Sequence, residues 1–135
     1  MLYEISLNTA SKNCYRDITG NIESIIHSSG IKDGICLVFV PHTTAAVTVN
    51  EGYDENVMED LLNYLSYLIP KHPKHVIFKH EEGNSDAHIK AALIGNSLAL
   101  PISEGKLILG KWQRVMFLEF DGPRNRKIIV KVLGK

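Results

Sequence analysis

The run Trp112-Gln-Arg-Val-Met-Phe-Leu-Glu-Phe120, the turn Asp121-Gly-Pro123, and then Lys127-Ile-Ile-Val-Lys-Val-Leu133 decide the fold class. Both runs are of strand length and rich in β-branched and aromatic residues, and turn formers separate them. They read as adjacent antiparallel strands. Upstream, Leu98–Ile102 and Leu107–Leu109 add two shorter strands, punctuated by Gly105 and Gly110. Further back, Gly34-Ile-Cys-Leu-Val-Phe-Val40 reads as a buried central strand that Pro41 breaks, with Thr43–Asn50 as the next strand. Leu2–Leu7 and Cys14–Ile18 open the chain as strands.

Three helices interrupt this series. Thr19 is placed to cap one over 20–29 that Gly30 ends. Asp54 caps a longer one whose stripe includes Val57, Met58, Leu61, Leu62, Leu65 and Leu68, stopped by Pro70. Ser85 caps a short one over Asp86–Ile94, closed by Gly95. Lys71–Ser85 between them is polar, His-rich and irregular, long enough to suggest a functional loop. Helices among many strands, with a hairpin-rich C-terminal half, predict an α+β fold with mainly antiparallel sheet. At 135 residues this is one domain, 1–135, able to bury roughly two-thirds of its unfolded surface.

Fifteen Lys and Arg balance fifteen Asp and Glu. That balance argues against a nucleic-acid protein held by many phosphate contacts. No apolar run is long enough for a membrane span, and no basic, apolar leader precedes the first strand. Cys14 and Cys36 form neither a disulfide framework nor a CxxC pair, so reduced thiols and a cytoplasmic location are expected.

Three segments carry residues suited to chemistry. In Pro41-His-Thr-Thr-Ala-Ala-Val-Thr-Val-Asn-Glu51, strand alternation places His42, Thr44, Ala46, Thr48 and Asn50 on one face. That face is either the solvent side of a half-exposed sheet or the floor of a pocket. In His80-Glu-Glu-Gly-Asn-Ser-Asp-Ala-His88, the first turn of a helix favours a neutral His88, a form that ligates metal or polarises a carbonyl. Backbone N–H groups of Gly83-Asn84-Ser85 could bind an anion there, although Glu81 and Glu82 oppose it unless they point away. In the third segment Glu119 lies within an apolar strand, and Arg124 or Arg126 beyond the turn is its natural partner. The rival reading gives those arginines to a phosphate or carboxylate ligand. Together the segments suggest one site built from His42, Asn50, Glu51, His80, His88 and the arginine hairpin. Asp54, Asp60 and Asp86 are candidates for its periphery, with helix-capping roles open to Asp54 and Asp86.

His42-Thr-Thr-Ala-Ala through Asn50-Glu51, His80, Gly83-Asn-Ser-Asp-Ala-His88, Leu107-Ile-Leu-Gly-Lys-Trp-Gln113 and Asp121-Gly-Pro-Arg-Asn-Arg126 resemble the YjbQ-like family, also labelled secondary thiamine-phosphate synthase. The resemblance spans essentially the whole chain. It implies a mainly antiparallel α+β sandwich with about three helices, assembled as a homotrimer with its site near subunit contacts. Its pattern falls on His42, Asn50, Glu51, Asp54, Asp60, His80, Asn84, Asp86, His88, Gln113, Glu119, Asp121, Arg124 and Arg126. The expected activity is then metal-dependent chemistry on a phosphorylated small molecule, with thiamine-phosphate synthesis as the named reaction. His42, His80 and His88 would hold a divalent ion, Zn²⁺ or Mg²⁺, and His42, Asn50, Glu51 and His88 would act at the reaction centre. Arg124, Arg126, Asn84 and Gln113 would grip substrate and phosphate. A metal-dependent phosphohydrolase and a trimeric metal- or metabolite-binding protein without turnover are the alternatives.

Overall fold

The computed structural model of the chain describes residues 1–135. The elements follow in the order β1 (Leu2–Asn8), β2 (Cys14–Asp17), α1 (Thr19–Ser29), β3 (Gly34–Phe39), β4 (Ala45–Glu51), α2 (Glu55–Leu68) and α3 (Ser85–Ile94). Then come β5 (Ser97–Ser103), β6 (Lys106–Leu107), β7 (Gln113–Glu119) and β8 (Asn125–Gly134). A five-stranded sheet has the order β1-β8-β3-β5-β6 and a three-stranded sheet the order β2-β7-β4. Every neighbouring pair is antiparallel. The α+β class and the three helices are therefore as the sequence predicts.

Two apolar cores stack the layers. In the first, Ile5, Val38 and Val130 of the large sheet meet Val47, Val115 and Phe117 of the small one, with Ile22 and Ile26 of α1 packed alongside. In the second, Ala46, Met116 and Leu118 on the other face of the small sheet meet Met58, Leu62 and Leu65 of α2 and Ala87 and Ala91 of α3. The small sheet is thus covered on both faces, which is why β7 reads as an almost unbroken apolar run rather than an alternating one. The covering also decides the β4 face that carries Ala46 and Thr48. At Ala46 it is neither solvent side nor pocket floor, because α2 and α3 pack over that residue.

The helix ends differ in detail from the sequence reading. Asp54 does cap α2, its Oδ1 accepting the Asn56 N–H at 3.0 Å. Thr19 does not cap α1. It is the first helical residue, and its Oγ1 accepts the Val115 N–H at 2.8 Å, tying α1 to β7. α3 starts at Ser85 with Asn84 in the N-cap position, yet the Asn84 side chain makes no cap bond. That amide is engaged elsewhere.

Candidate functional site

The β4–β7 register separates the expected site residues. Ala45 faces Glu119 at one end of the pair, and Glu51 faces Gln113 at the other. Six residue steps of strand separate the two ends, roughly 20 Å. At the far end, Glu51 Oε2 accepts the N–H groups of Tyr53 and Asp54 at 2.9 and 2.8 Å. Asn50 Oδ1 accepts the Glu51 N–H, and Gln113 Oε1 accepts the Gly110 N–H. These three side chains shape turns and do not join His42. Asp60 is exposed on α2.

At the near end a polar cleft of about 330 Å³ opens where the segment 41–44, the start of α3 and the β7–β8 turn converge. His42, Asn84, His88, Arg124 and Arg126 all line it, joined by Thr43, Thr44, Glu82 and Asp121. A second cavity, lined by Ala45, Ala91, Ala92 and Asn96, shares His42, Thr43 and His88 with it. His80 sits behind: its ring meets that of His88 edge to face, centroids 5.2 Å apart, and it lines a different cavity with the loop 71–78.

The floor of the cleft is an ion pair. Glu119 is wholly buried and Arg126 nearly so. Arg126 Nε donates to Glu119 Oε1 at 2.8 Å, and its second guanidinium nitrogen bonds both Glu119 Oε2 and Thr44 Oγ1. Glu119 also accepts the Thr9 hydroxyl at 2.7 Å and the Phe120 and Asp121 N–H groups, each at 3.0 Å. Burial pushes the Glu119 carboxyl up, but the bonds from Arg126, Thr9 and Asp121 outweigh it and hold it below the ordinary value.

One wall is a second charge network. Arg124 donates to Asp121 Oδ2 at 2.8 Å and lies 3.4 Å from Glu82 Oε2. Asn84 Nδ2 donates to both carboxylates, at 2.8 Å to Asp121 and 2.9 Å to Glu82. Glu82 thus points into the cleft, and the chain's own carboxylate sits beside the Gly83-Asn84-Ser85 turn. Burial raises the Asp121 carboxyl, while Asn84 and Arg124 bring it below its usual value. With both amide hydrogens used, Asn84 Oδ1 is buried with no partner. An orphaned buried acceptor is costly, and Asn84 is one of the residues that line the cleft.

The opposite wall is His42. Its Nε2 accepts the Lys127 N–H at 2.9 Å, which leaves the ring proton on Nδ1. Burial, and then the Arg126 guanidinium, hold this imidazole below its ordinary pKa, so it is neutral at pH 7.

No three His, Cys, Asp or Glu side chains converge with the geometry of a metal site. The Nε2 lone pair that a metal would take from His42 is already occupied, and His80 faces another cavity. The residues present do not fit the expected divalent ion. Glu82 was not singled out as a site residue in the sequence, Thr44 only as part of a candidate pocket floor, and Asp121 only through resemblance. The adjacency of Glu82 to Gly83-Asn84 was the one available signal.

Fold and cleft together define a small α+β sandwich protein with a polar, charge-paired cleft at one end of its inner sheet. The chain belongs to the family described as "UPF0047 protein YjbQ-like", whose pattern it matches over residues 3–135. The UPF0047 protein of Methanocaldococcus jannaschii is 48% identical over 134 residues, covering 99% of this chain and 95% of that one. YugU of Bacillus subtilis is 38% identical over 99% of this chain and 100% of its own. A crystal structure of a YjbQ/UPF0047 protein from Clostridium acetobutylicum superposes with a TM-score of 0.92 at 46% identity, covering 97% of this chain and 99% of that one. A protein of Sulfolobus solfataricus, described as of unknown function, gives 0.93 at 38% identity over 100% and 97% of the two chains.

These findings overturn the expected activity. The relatives bear only a family designation, the Sulfolobus structure is described as of unknown function, and the histidines do not form a metal site. Metal-dependent thiamine-phosphate synthesis is withdrawn as the function, and the metal-dependent phosphohydrolase with it.

Proposed function

We propose that the cleft between His42 and Asn84 binds a small neutral molecule carrying both hydrogen-bond donors and acceptors. The observation that carries this reading is the unpartnered, buried Asn84 Oδ1. Each cation nearby already has a carboxylate partner: Arg126 has Glu119, and Arg124 has Asp121 and Glu82. What the cleft lacks is a donor for Asn84 Oδ1 and an acceptor for His42 Nδ1–H. A carboxamide or hydroxy-amide supplies both. In this reading Arg124, Asn84 and His88 face the ligand and Arg126 is scaffold. The test is thermal denaturation with glycolamide as probe and glycolate as its charged counterpart. Glycolamide should raise the melting temperature of the native chain and leave Asn84→Leu unmoved. An equal effect of glycolate on the native chain would refute the preference for a neutral ligand.

We further propose that the chain is a cytoplasmic homotrimer. Ile35, Leu37 and Phe39 form an exposed row on the outer face of β3, and Leu133 extends it across β8 opposite Ile35. So contiguous an apolar strip on a sheet face suits a second copy of the chain better than water. Phe39 lies three residues before His42 in the chain. Both cysteines are free, and burial pushes the Cys36 thiol up to about 11, which suits a reducing compartment. No helix is long and apolar enough to cross a membrane.

A further inference from the structure

Lys90 heads the fully enclosed side chains in size, with 2% of its surface exposed. It stands on α3 with its ammonium 5.9 Å from the centroid of the Phe120 ring. Its polar neighbours are Asn13 Oδ1 at 3.4 Å, Ser66 Oγ at 3.5 Å and Asp86 Oδ2 at 3.7 Å. None is at the usual charge-assisted distance of about 2.8 Å. Asp86 Oδ2 instead bonds Lys12 at 2.9 Å. Two ammonium groups therefore share one oxygen of Asp86, whose Oδ1 has no partner, and Lys90 has no carboxylate of its own. Burial pulls the Lys90 ammonium below its ordinary pKa, with Asp86 opposing and Lys12 reinforcing that pull.

An ammonium only donates. Asn13 must therefore turn its carbonyl toward Lys90 and its NH₂ away from it. Ser66 must accept through a lone pair, which frees its own hydrogen to point elsewhere. Neither side chain makes any other hydrogen bond. Both line an open groove of about 400 Å³ between β2 and α2, walled by Tyr15 and Leu62, with exposed Glu59 at its edge. The buried cation thus leaves two donors free on side chains that line one groove, with its own charge behind them.

We propose that this groove, separate from the His42 cleft, is a binding site for a small monocarboxylate with an apolar body. The carboxylate accepts from the Asn13 amide and the Ser66 hydroxyl and supplies a negative charge on the Lys90 side of the groove. The apolar body lies on Tyr15 and Leu62, and Glu59 repels a second negative charge.

Benzoate and benzyl alcohol are the probes, titrated into ¹⁵N-labelled full-length protein and followed by NMR. Benzoate should shift the Asn13 side-chain amide and the backbone signals of Tyr15 and Ser66 at millimolar concentration. Benzyl alcohol, matched in shape but uncharged, should bind roughly tenfold more weakly. Asn13→Asp places a carboxylate beside Lys90, so it should abolish the benzoate shifts and raise the melting temperature. Ser66→Ala should weaken benzoate severalfold while the chain stays folded. Equal binding of the two probes, benzoate shifts confined to other parts of the chain, or undiminished benzoate binding in Ser66→Ala would each overturn the proposal. These outcomes are independent of glycolamide binding at Asn84.

Discussion

Replacing Arg126 with Met distinguishes a structural guanidinium from a ligand-gripping one. The substitution preserves length and apolar volume but leaves Glu119, which has no exposed surface, without its cation. Removing one partner of a buried pair costs about 3–5 kcal/mol. Glu119 would retain the Thr9 hydroxyl and the Phe120 and Asp121 N–H groups, so the lower end applies. For a urea slope of about 1.5 kcal/mol/M, a loss of about 3 kcal/mol moves the midpoint by about 2 M. The pH dependence sharpens the test. In the native chain the Glu119 carboxyl is held below its ordinary value, so its contribution is present above that value and is lost as pH falls through the folded pKa. In the variant burial is no longer outweighed, the folded carboxyl rises above its unfolded value, and protonation relieves the penalty. The stability gap between the two chains should therefore narrow as pH falls from neutrality into the acid range. A loss under about 1 kcal/mol, as for an exposed pair, would refute the reasoning. So would a gap that does not change with pH.

Other perturbations follow from the same geometry. His42 has a folded pKa below its unfolded one, so stability is complete above the ordinary histidine value and falls as pH drops from there toward the depressed value. Urea midpoints of His42→Asn should lack that slope. Asp54→Ala removes the α2 cap and should cost about 1 kcal/mol by urea denaturation, without affecting ligand binding in the cleft. Gly122 approaches the Ser11 carbonyl and the Thr9 hydroxyl too closely for a Cβ, so Gly122→Ala should destabilise by about 1–3 kcal/mol and displace the turn carrying Asp121 and Arg124. Leu37→Asp places a charge in the exposed apolar row, and sedimentation should show a mass of one 15.1 kDa chain where the native protein shows three.

Much of the fold was legible because periodicity and turn chemistry agreed. The run through Val115 and Phe120, the Pro70 stop and the Asp54 cap all carry local signals, and each corresponds to an observed element. The Glu119–Arg126 pair was legible on cost alone, since a carboxylate in so apolar a strand needs a cation near the turn. Grouping Asn50 and Glu51 with His42 failed for a geometric reason. Strand alternation reports which face a residue occupies, not how far along the strand it lies. The β4–β7 register then carries Glu51 to Gln113 and leaves Ala45 beside Glu119. Lys90 was invisible because a lysine on a short helix reads as solvated, and only its packing against Asn13, Ser66 of α2 and Phe120 encloses it. Metal chemistry was expected from the resemblance and from His42, His80 and His88, whereas ligation depends on where free lone pairs converge.

The most direct test of the cleft as a binding site is a crystal structure of the protein soaked in glycolamide. The account predicts the molecule seated between His42 and Asn84, with a donor within hydrogen-bond distance of Asn84 Oδ1 and an acceptor facing His42 Nδ1. Glycolamide bound only elsewhere, or an Asn84 Oδ1 still unpartnered with the cleft occupied, would contradict it.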